Sequence, residues 1–139
     1  MIIFNPSQES LWLGIGCQRG TSKQVLEAAI AQVCRTYGLT ETAIAGVGTI
    51  DRKVNEPGLL ALCRDRGWQL QFYPAEQLNQ VLIPNPSSGV SQRLGTASVA
   101  EAAALLAAGT AAQLQVSKQV FRFQGQSVTV AIATDARQG

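Results

Sequence analysis

The chain has 139 residues, of which 46% are hydrophobic and 14% charged; that is enough apolar material for one folded core and too little charge for a disordered chain. Its formal net charge is +2 and no run of lysine or arginine occurs, which argues against a nucleic-acid binder. Three widely spaced cysteines and no histidine exclude histidine-based triads and argue against a metal site or a disulfide framework. No apolar stretch is long enough to span a bilayer, and the N-terminal MIIFNPSQES lacks a basic signal start, so a cytoplasmic protein without membrane association is expected.

In chain order, the apolar run Leu11, Trp12, Leu13 and Ile15 has strand length. It leads into a glycine-rich turn with Gly14, Gly16 and Gly20. Thr21, with Gln24 three residues later, has the spacing of a helix capping box. Val25, Leu26, Ala29, Ile30, Val33, Cys34 and Tyr37 then recur at helical spacing, and Gly38 supplies a stop. AIAGVGTI (43–50) predicts a second strand, followed by the charged loop of Asp51, Arg52, Lys53, Asn55 and Glu56.

Pro57 suits the first turn of a second helix, with Asn55 or Glu56 as its cap, and Gly67 ends it. Residues 70–73 form a third short strand, and Pro74-Ala75 starts a short helix carrying Leu78 and Val81. The stretch 83–96, IPNPSSGVSQRLGT, lacks periodicity and is rich in turn formers. Ser98 and Glu101 have the spacing of another capping box, ahead of a small, alanine-rich helix that should lie close on a sheet. Leu114, Val116, Val120, Phe121 and Phe123 belong to further strands. Gly125-Gln126 then fits a hairpin turn before the alternating Val128, Val130 and Ile132. The expected fold is a single three-layer α/β/α domain, its sheet mostly parallel with an antiparallel hairpin at the C-terminal end.

The strand-turn-helix at 11–22 exposes backbone N–H groups at the positive end of a helix, an arrangement that accepts anions. Gly14, Gly16, Cys17, Arg19, Gly20, Thr21 and Ser22 are therefore candidate ligand contacts, and Lys23 adds charge. The same glycines also fit a tight turn without a ligand, and their GxGxxxG spacing differs from a dinucleotide fingerprint. Cys17 is either a thiolate stabilised by the helix terminus or a small residue filling the turn.

In an open α/β sheet, ligands bind at the carboxyl ends of the strands, where the 51–56 loop also falls. Asp51 or Glu56 is placed to activate water there, and Lys53 or the loop amides to hold an oxyanion. A solvated loop with helix-capping acids is the competing reading. Asn85 and Ser87 either contact a ligand or only shape their turn.

Six segments in order, GIGCQRGTS (14–22), TIDRKVNEPGLLAL (49–62), YPAEQL (73–78), VLIPNPS (81–87), GTASVAEAAALLAAG (95–109) and VSKQVFRFQGQSVTVAIA (116–133), resemble the CobE and CbiG C-terminal domain family of cobalamin (vitamin B12) biosynthesis. The resemblance covers residues 11–134, leaving 1–10 and 135–139 as tails. It implies a role in corrin-ring synthesis with a precorrin or cobalt-precorrin as partner, and any cobalt would be carried by that tetrapyrrole. Other corrin-pathway enzymes are further possible partners.

Full-length CbiG proteins are cobalt-precorrin-5A hydrolases that open the ring-A lactone and release acetaldehyde; the resemblance is to their C-terminal domain alone. The expectation is thus an accessory or carrier domain that binds the intermediate, with lactone hydrolysis as the alternative and a non-catalytic assembly module as a third reading. The family's glycine loop, D-x-K-x-x-E-P-G loop and P-N-P-S loop fall on 14–20, 51–58 and 84–87. Gln18 stands where the family has a basic residue after the cysteine, with Arg19 beside it. Arg19, Lys23, Arg52, Lys53 and Lys118 are the cations expected to meet the tetrapyrrole's carboxylates, and the open 84–96 loop is expected to offer it apolar surface.

Overall fold

The computed structural model describes residues 10–53, 55–83, 95–96, 98–109, 112–123 and 125–135. Three β/α steps come first: β1 (Leu11–Cys17) and α1 (Lys23–Tyr37), β2 (Ile44–Ile50) and α2 (Pro57–Arg66), β3 (Gln69–Tyr73) and the short α3 (Ala75–Asn79). A two-residue pair follows, β4 (Leu82–Ile83) with β5 (Gly95–Thr96), then α4 (Val99–Ala108) and the hairpin β6 (Gln113–Phe123) and β7 (Gln126–Thr134). Among the described residues no helix is long and apolar enough to cross a membrane.

The main sheet has the order β3-β2-β1-β7-β6. β1 pairs in parallel with β2, and β2 with β3, while β7 runs antiparallel to both β1 and β6. The ladders are therefore evenly split, and the sheet is mixed rather than mostly parallel. The parallel block β3-β2-β1 is extended on its β1 side by the antiparallel hairpin, which forms that edge of the sheet as expected, with β6 outermost.

The two faces of the sheet have different chemistry. Leu11, Leu13, Ile15, Val47, Val128, Val130 and Ile132 point at α1 and α2, where they bury against Leu26, Ile30, Val33, Leu59 and Leu62. This is the large aliphatic core that supplies most of the hydrophobic stabilisation. The opposite face carries small residues: Gly14 and Gly48, with Ala131 and Ala133, lie beneath α4. A Cβ on Gly14 would stand 1.7 Å from the Ala100 carbonyl oxygen, and one on Gly48 would stand 2.6 Å from that of Ala103. The helix backbone itself rests on the strands, so these positions tolerate no side chain. Leu78, Ile50, Ala102 and Ala103 extend this second core toward α3.

Element ends follow the local chemistry with two changes. The cap of α1 is Ser22, whose hydroxyl accepts from the Val25 N–H; Thr21 instead donates to the Gln18 carbonyl at 2.7 Å and closes the turn. Glu56 stands at the cap position of α2, but its side chain makes no cap bond. Gly38 and Gly67 end α1 and α2, and Ser98 and Glu101 form the expected reciprocal capping box on α4. The pairing of Leu82–Ile83 with Gly95–Thr96 closes the two ends of the aperiodic stretch; two residues per strand are too few to leave a period-2 pattern.

Candidate functional site

The carboxyl ends of β1 and β2 converge with the N-termini of α1, α2 and α4. Beyond the Gly14–Gly48 pair, the buried Thr49 hydroxyl donates to the Ile15 carbonyl at 2.7 Å. That bond holds the two strands together as their loops diverge. Gly58, in the first turn of α2, abuts the first loop: a Cβ there would meet the Thr21 carbonyl oxygen at 2.4 Å and the Lys23 nitrogen at 3.0 Å. The loops after β1 and β2 are thus pressed together with no room for a side chain between them.

Within this junction the Gly20 N–H donates to Glu56 Oε1 at 2.9 Å, and Glu56 is 8% exposed. The Thr21 N–H donates to the Gln18 carbonyl at 3.2 Å and the Ser22 N–H to Gln126 Oε1 at 3.3 Å. The hairpin end is tied in from its own side, as the Ser127 N–H donates to Gln18 Oε1 at 3.0 Å. The glycine loop is therefore not an open cradle. The amides at Gly20, Thr21 and Ser22 are satisfied by protein acceptors, as the chemistry of a part-buried turn requires. Local sequence pattern could not show this, because Glu56 and Gln126 reach Gly20 and Ser22 from 36 and 104 residues away.

The predicted contacts separate accordingly. Gly14 is buried under α4 and serves packing, not ligand approach. Gly16 and Cys17 end β1 half-buried, and Gly16 has open space, with the Thr129 Cβ the nearest atom to a built Cβ at 3.8 Å. Arg19 and Gly20 form the exposed tip of the loop, and Gly20 turns the chain at φ 81°. Asp51 begins a 3-10 turn, Asp51–Lys53, with Asp51 and Arg52 exposed. Asn85, Ser87 and the side chain of Lys53 lie outside the described residues. Lys23 is engaged by Asp65 of α2; that pairing holds the Asp65 carboxyl below its ordinary range and withdraws Lys23 from the set of available cations.

Three roles were not visible in the sequence. Thr49 and Gln126 are buckles of the junction. Glu101 caps α4 through Oε1, as expected, but its Oε2 also accepts from the Lys118 N–H at 3.0 Å. The register of β6 slips between Val116 and Gln119; a bulge of this kind turns an N–H out of the ladder, and Glu101 receives it. Lys118 itself is exposed on the sheet's outer strand.

Beside the junction, a groove of about 340 Å³ runs between α1 and the end of β6, lined by Gln24, Val25, Ala28, Arg122 and Phe123. The Phe121 and Phe123 rings stack at 6.3 Å. Arg122, exposed near the end of β6, pairs in register with Ser127, the residue bound to Gln18, so its backbone lies at the sheet end that carries the loops of Arg19 and Arg52. Exposed Arg19 and Arg52 on the loops after β1 and β2, with exposed Arg122 near the end of β6 where it lines the groove, suit a ligand with several separated carboxylates and an apolar body.

The chain was compared with known proteins. Residues 11–133 match the family model described as the cobalamin synthesis G C-terminus. A cobalt-precorrin-5A hydrolase of Priestia megaterium is 30% identical over 132 residues, covering 95% of this chain and 33% of that protein. Protein CobE of a Sinorhizobium species is 33% identical over 112 residues, covering 79% of this chain and 73% of that one. The crystal structure of the cobalamin biosynthesis protein chiG from Agrobacterium tumefaciens superposes with a TM-score of 0.69 at 32% identity, covering 88% of this chain and 96% of that one. The chain spans about a third of the length of the hydrolase but nearly all of the chiG structure. On the family match and on a fold shared at more than 30% identity, the chain belongs to the CbiG/CobE family of cobalamin biosynthesis proteins.

Proposed function

We propose that the chain binds a precorrin or cobalt-precorrin as an accessory or carrier domain, with the tetrapyrrole on the carboxyl edge of the sheet. The observation that carries this reading is that exposed Arg19, Arg52 and Arg122 all belong to the carboxyl end of the sheet, the end that also holds the groove lined by Val25, Ala28, Arg122 and Phe123. A precorrin presents acetate and propionate groups around an extended ring, so spaced guanidinium groups and an apolar rest match it better than one deep pocket. The 84–94 stretch, expected to offer apolar surface, lies outside the described residues. Any cobalt arrives with the substrate.

Lactone hydrolysis is the second reading, favoured by the relatives named cobalt-precorrin-5A hydrolase. Against it stand the one-third coverage of those proteins and the use of Glu56 Oε1 to hold the Gly20 amide, which leaves Asp51 as the exposed carboxylate of the loop. The test is a titration of the purified chain with cobalt-precorrin-5A, followed by visible absorbance and by an acetaldehyde assay. A saturable spectral shift without acetaldehyde is expected. Acetaldehyde release would establish the hydrolase reading, and an unchanged spectrum without acetaldehyde would overturn both.

A further inference from the structure

We infer that Glu56 is a positioning residue that locks the Gly20 loop to the start of α2 and so fixes where Arg19 stands. This rests on the binding role proposed above for Arg19. Glu56 is 8% exposed and its Oε1 accepts the Gly20 N–H at 2.9 Å, from a residue 36 positions away. The bond spans the two loops where the backbones already touch, since Gly58 packs on Thr21 and Lys23 without space for a Cβ. The hydrogen bonds at the Thr21 and Ser22 amides act from the opposite side: Gln18 and Gln126 tie the loop back to itself and to the hairpin. Among the described residues Glu56 is the acceptor that bonds the loop to the start of α2, at Gly20, the residue that follows Arg19 in the chain.

A carboxylate in this role needs only to accept a hydrogen bond, whereas a general base needs a proton-accepting oxygen facing water and substrate. The two roles diverge on Glu56→Gln, whose amide oxygen still accepts from Gly20 but cannot act as a base. The experiment uses the full chain labelled with nitrogen-15, amide hydrogen exchange at Gly20 without ligand, and titration with cobalt-precorrin-5A. Glu56→Gln is expected to keep Gly20 exchange within about threefold of the parent, and Glu56→Ala to speed it about tenfold or more.

Glu56→Ala is also expected to weaken tetrapyrrole binding about as much as Arg19→Ala, with no further loss in the double variant, because both changes remove one contact. The lock is overturned if Glu56→Ala leaves Gly20 exchange unchanged, or if Glu56→Gln speeds it as much as Glu56→Ala. The link to Arg19 is overturned if the two losses in binding add. A parent chain that binds no tetrapyrrole would sink the proposed function, while exchange at Gly20 would still decide whether Glu56 holds the loop.

Discussion

Gly14 and Cys34 show how much a single position carries on the two faces of the sheet. Under α4 the strand has no side-chain layer at all: the Ala100 carbonyl oxygen would lie 1.7 Å from any Cβ on Gly14. Gly14→Ala must therefore push the helix off the sheet. A loss of about 3 kcal/mol or more is expected, at the upper end of overpacking costs, seen as a lower denaturation midpoint with an unchanged denaturant slope. On the other face, burial pushes the Cys34 thiol from 9.0 up to about 11 and the Cys63 thiol to about 12. Both acids have folded pKa values above their unfolded ones, so the native state retains protons that the unfolded chain gives up. Stability is then fully present below pH 9.0 and falls as pH rises through about 11 to 12. Iodoacetamide at pH 8 should leave both thiols unmodified in the folded chain and label them after unfolding, read by mass spectrometry.

At the scale of elements, α4 and β6 are joined by one carboxylate. Glu101 satisfies the Ser98 N–H at the helix start and the Lys118 N–H turned out by the strand bulge. Two part-buried donors lose their acceptor in Glu101→Ala, and a cost of about 2–3 kcal/mol is expected in chemical denaturation. Ser98→Ala, which breaks only the cap, should cost about 1 kcal/mol. Equal losses in the two variants would show that the Lys118 bond contributes nothing. The same division of labour governs the other helices: Ser22 caps α1 locally, whereas α2 relies on Pro57 and a packed glycine rather than on its cap side chain.

For the whole molecule, the pairing of β7 with β1 decides which hairpin residues reach the carboxyl end of the sheet. The hairpin brings Gln126, Ser127 and Arg122 to the carboxyl edge, closing the loop amides and adding a third cation. On the proposed function, binding then depends on several exposed guanidinium groups and not on a loop cradle. Arg19→Ala, Arg52→Ala and Arg122→Ala should each weaken cobalt-precorrin binding about two- to fivefold, in the range of exposed ion pairs. The triple variant should also lose most of the salt dependence of binding. Titrations at low and high ionic strength check this, and a salt dependence that survives the triple change would place the carboxylate contacts elsewhere.

The strands, the helices and their order were legible in the sequence because they rest on local signals: the apolar period of α1, Pro57 and Gly67 around α2, the Ser98–Glu101 spacing, and the alternation of 128–132. The six ordered segments likewise pointed to the family. What those signals could not carry is every contact made across the chain. Gly14 has the same sequence appearance whether it admits a phosphate or a helix backbone, and only the seating of α4 decides which. A carboxylate at Glu56 reads as cap, base or solvated acid until the fold sets Gly20 2.9 Å away. The position of β7, the closing of the glycine loop and the pairing of Lys23 with Asp65 all depend on residues dozens of positions apart. Periodicity and capping spacing act over a few residues, whereas hydrogen-bond satisfaction and packing are settled only when distant segments meet.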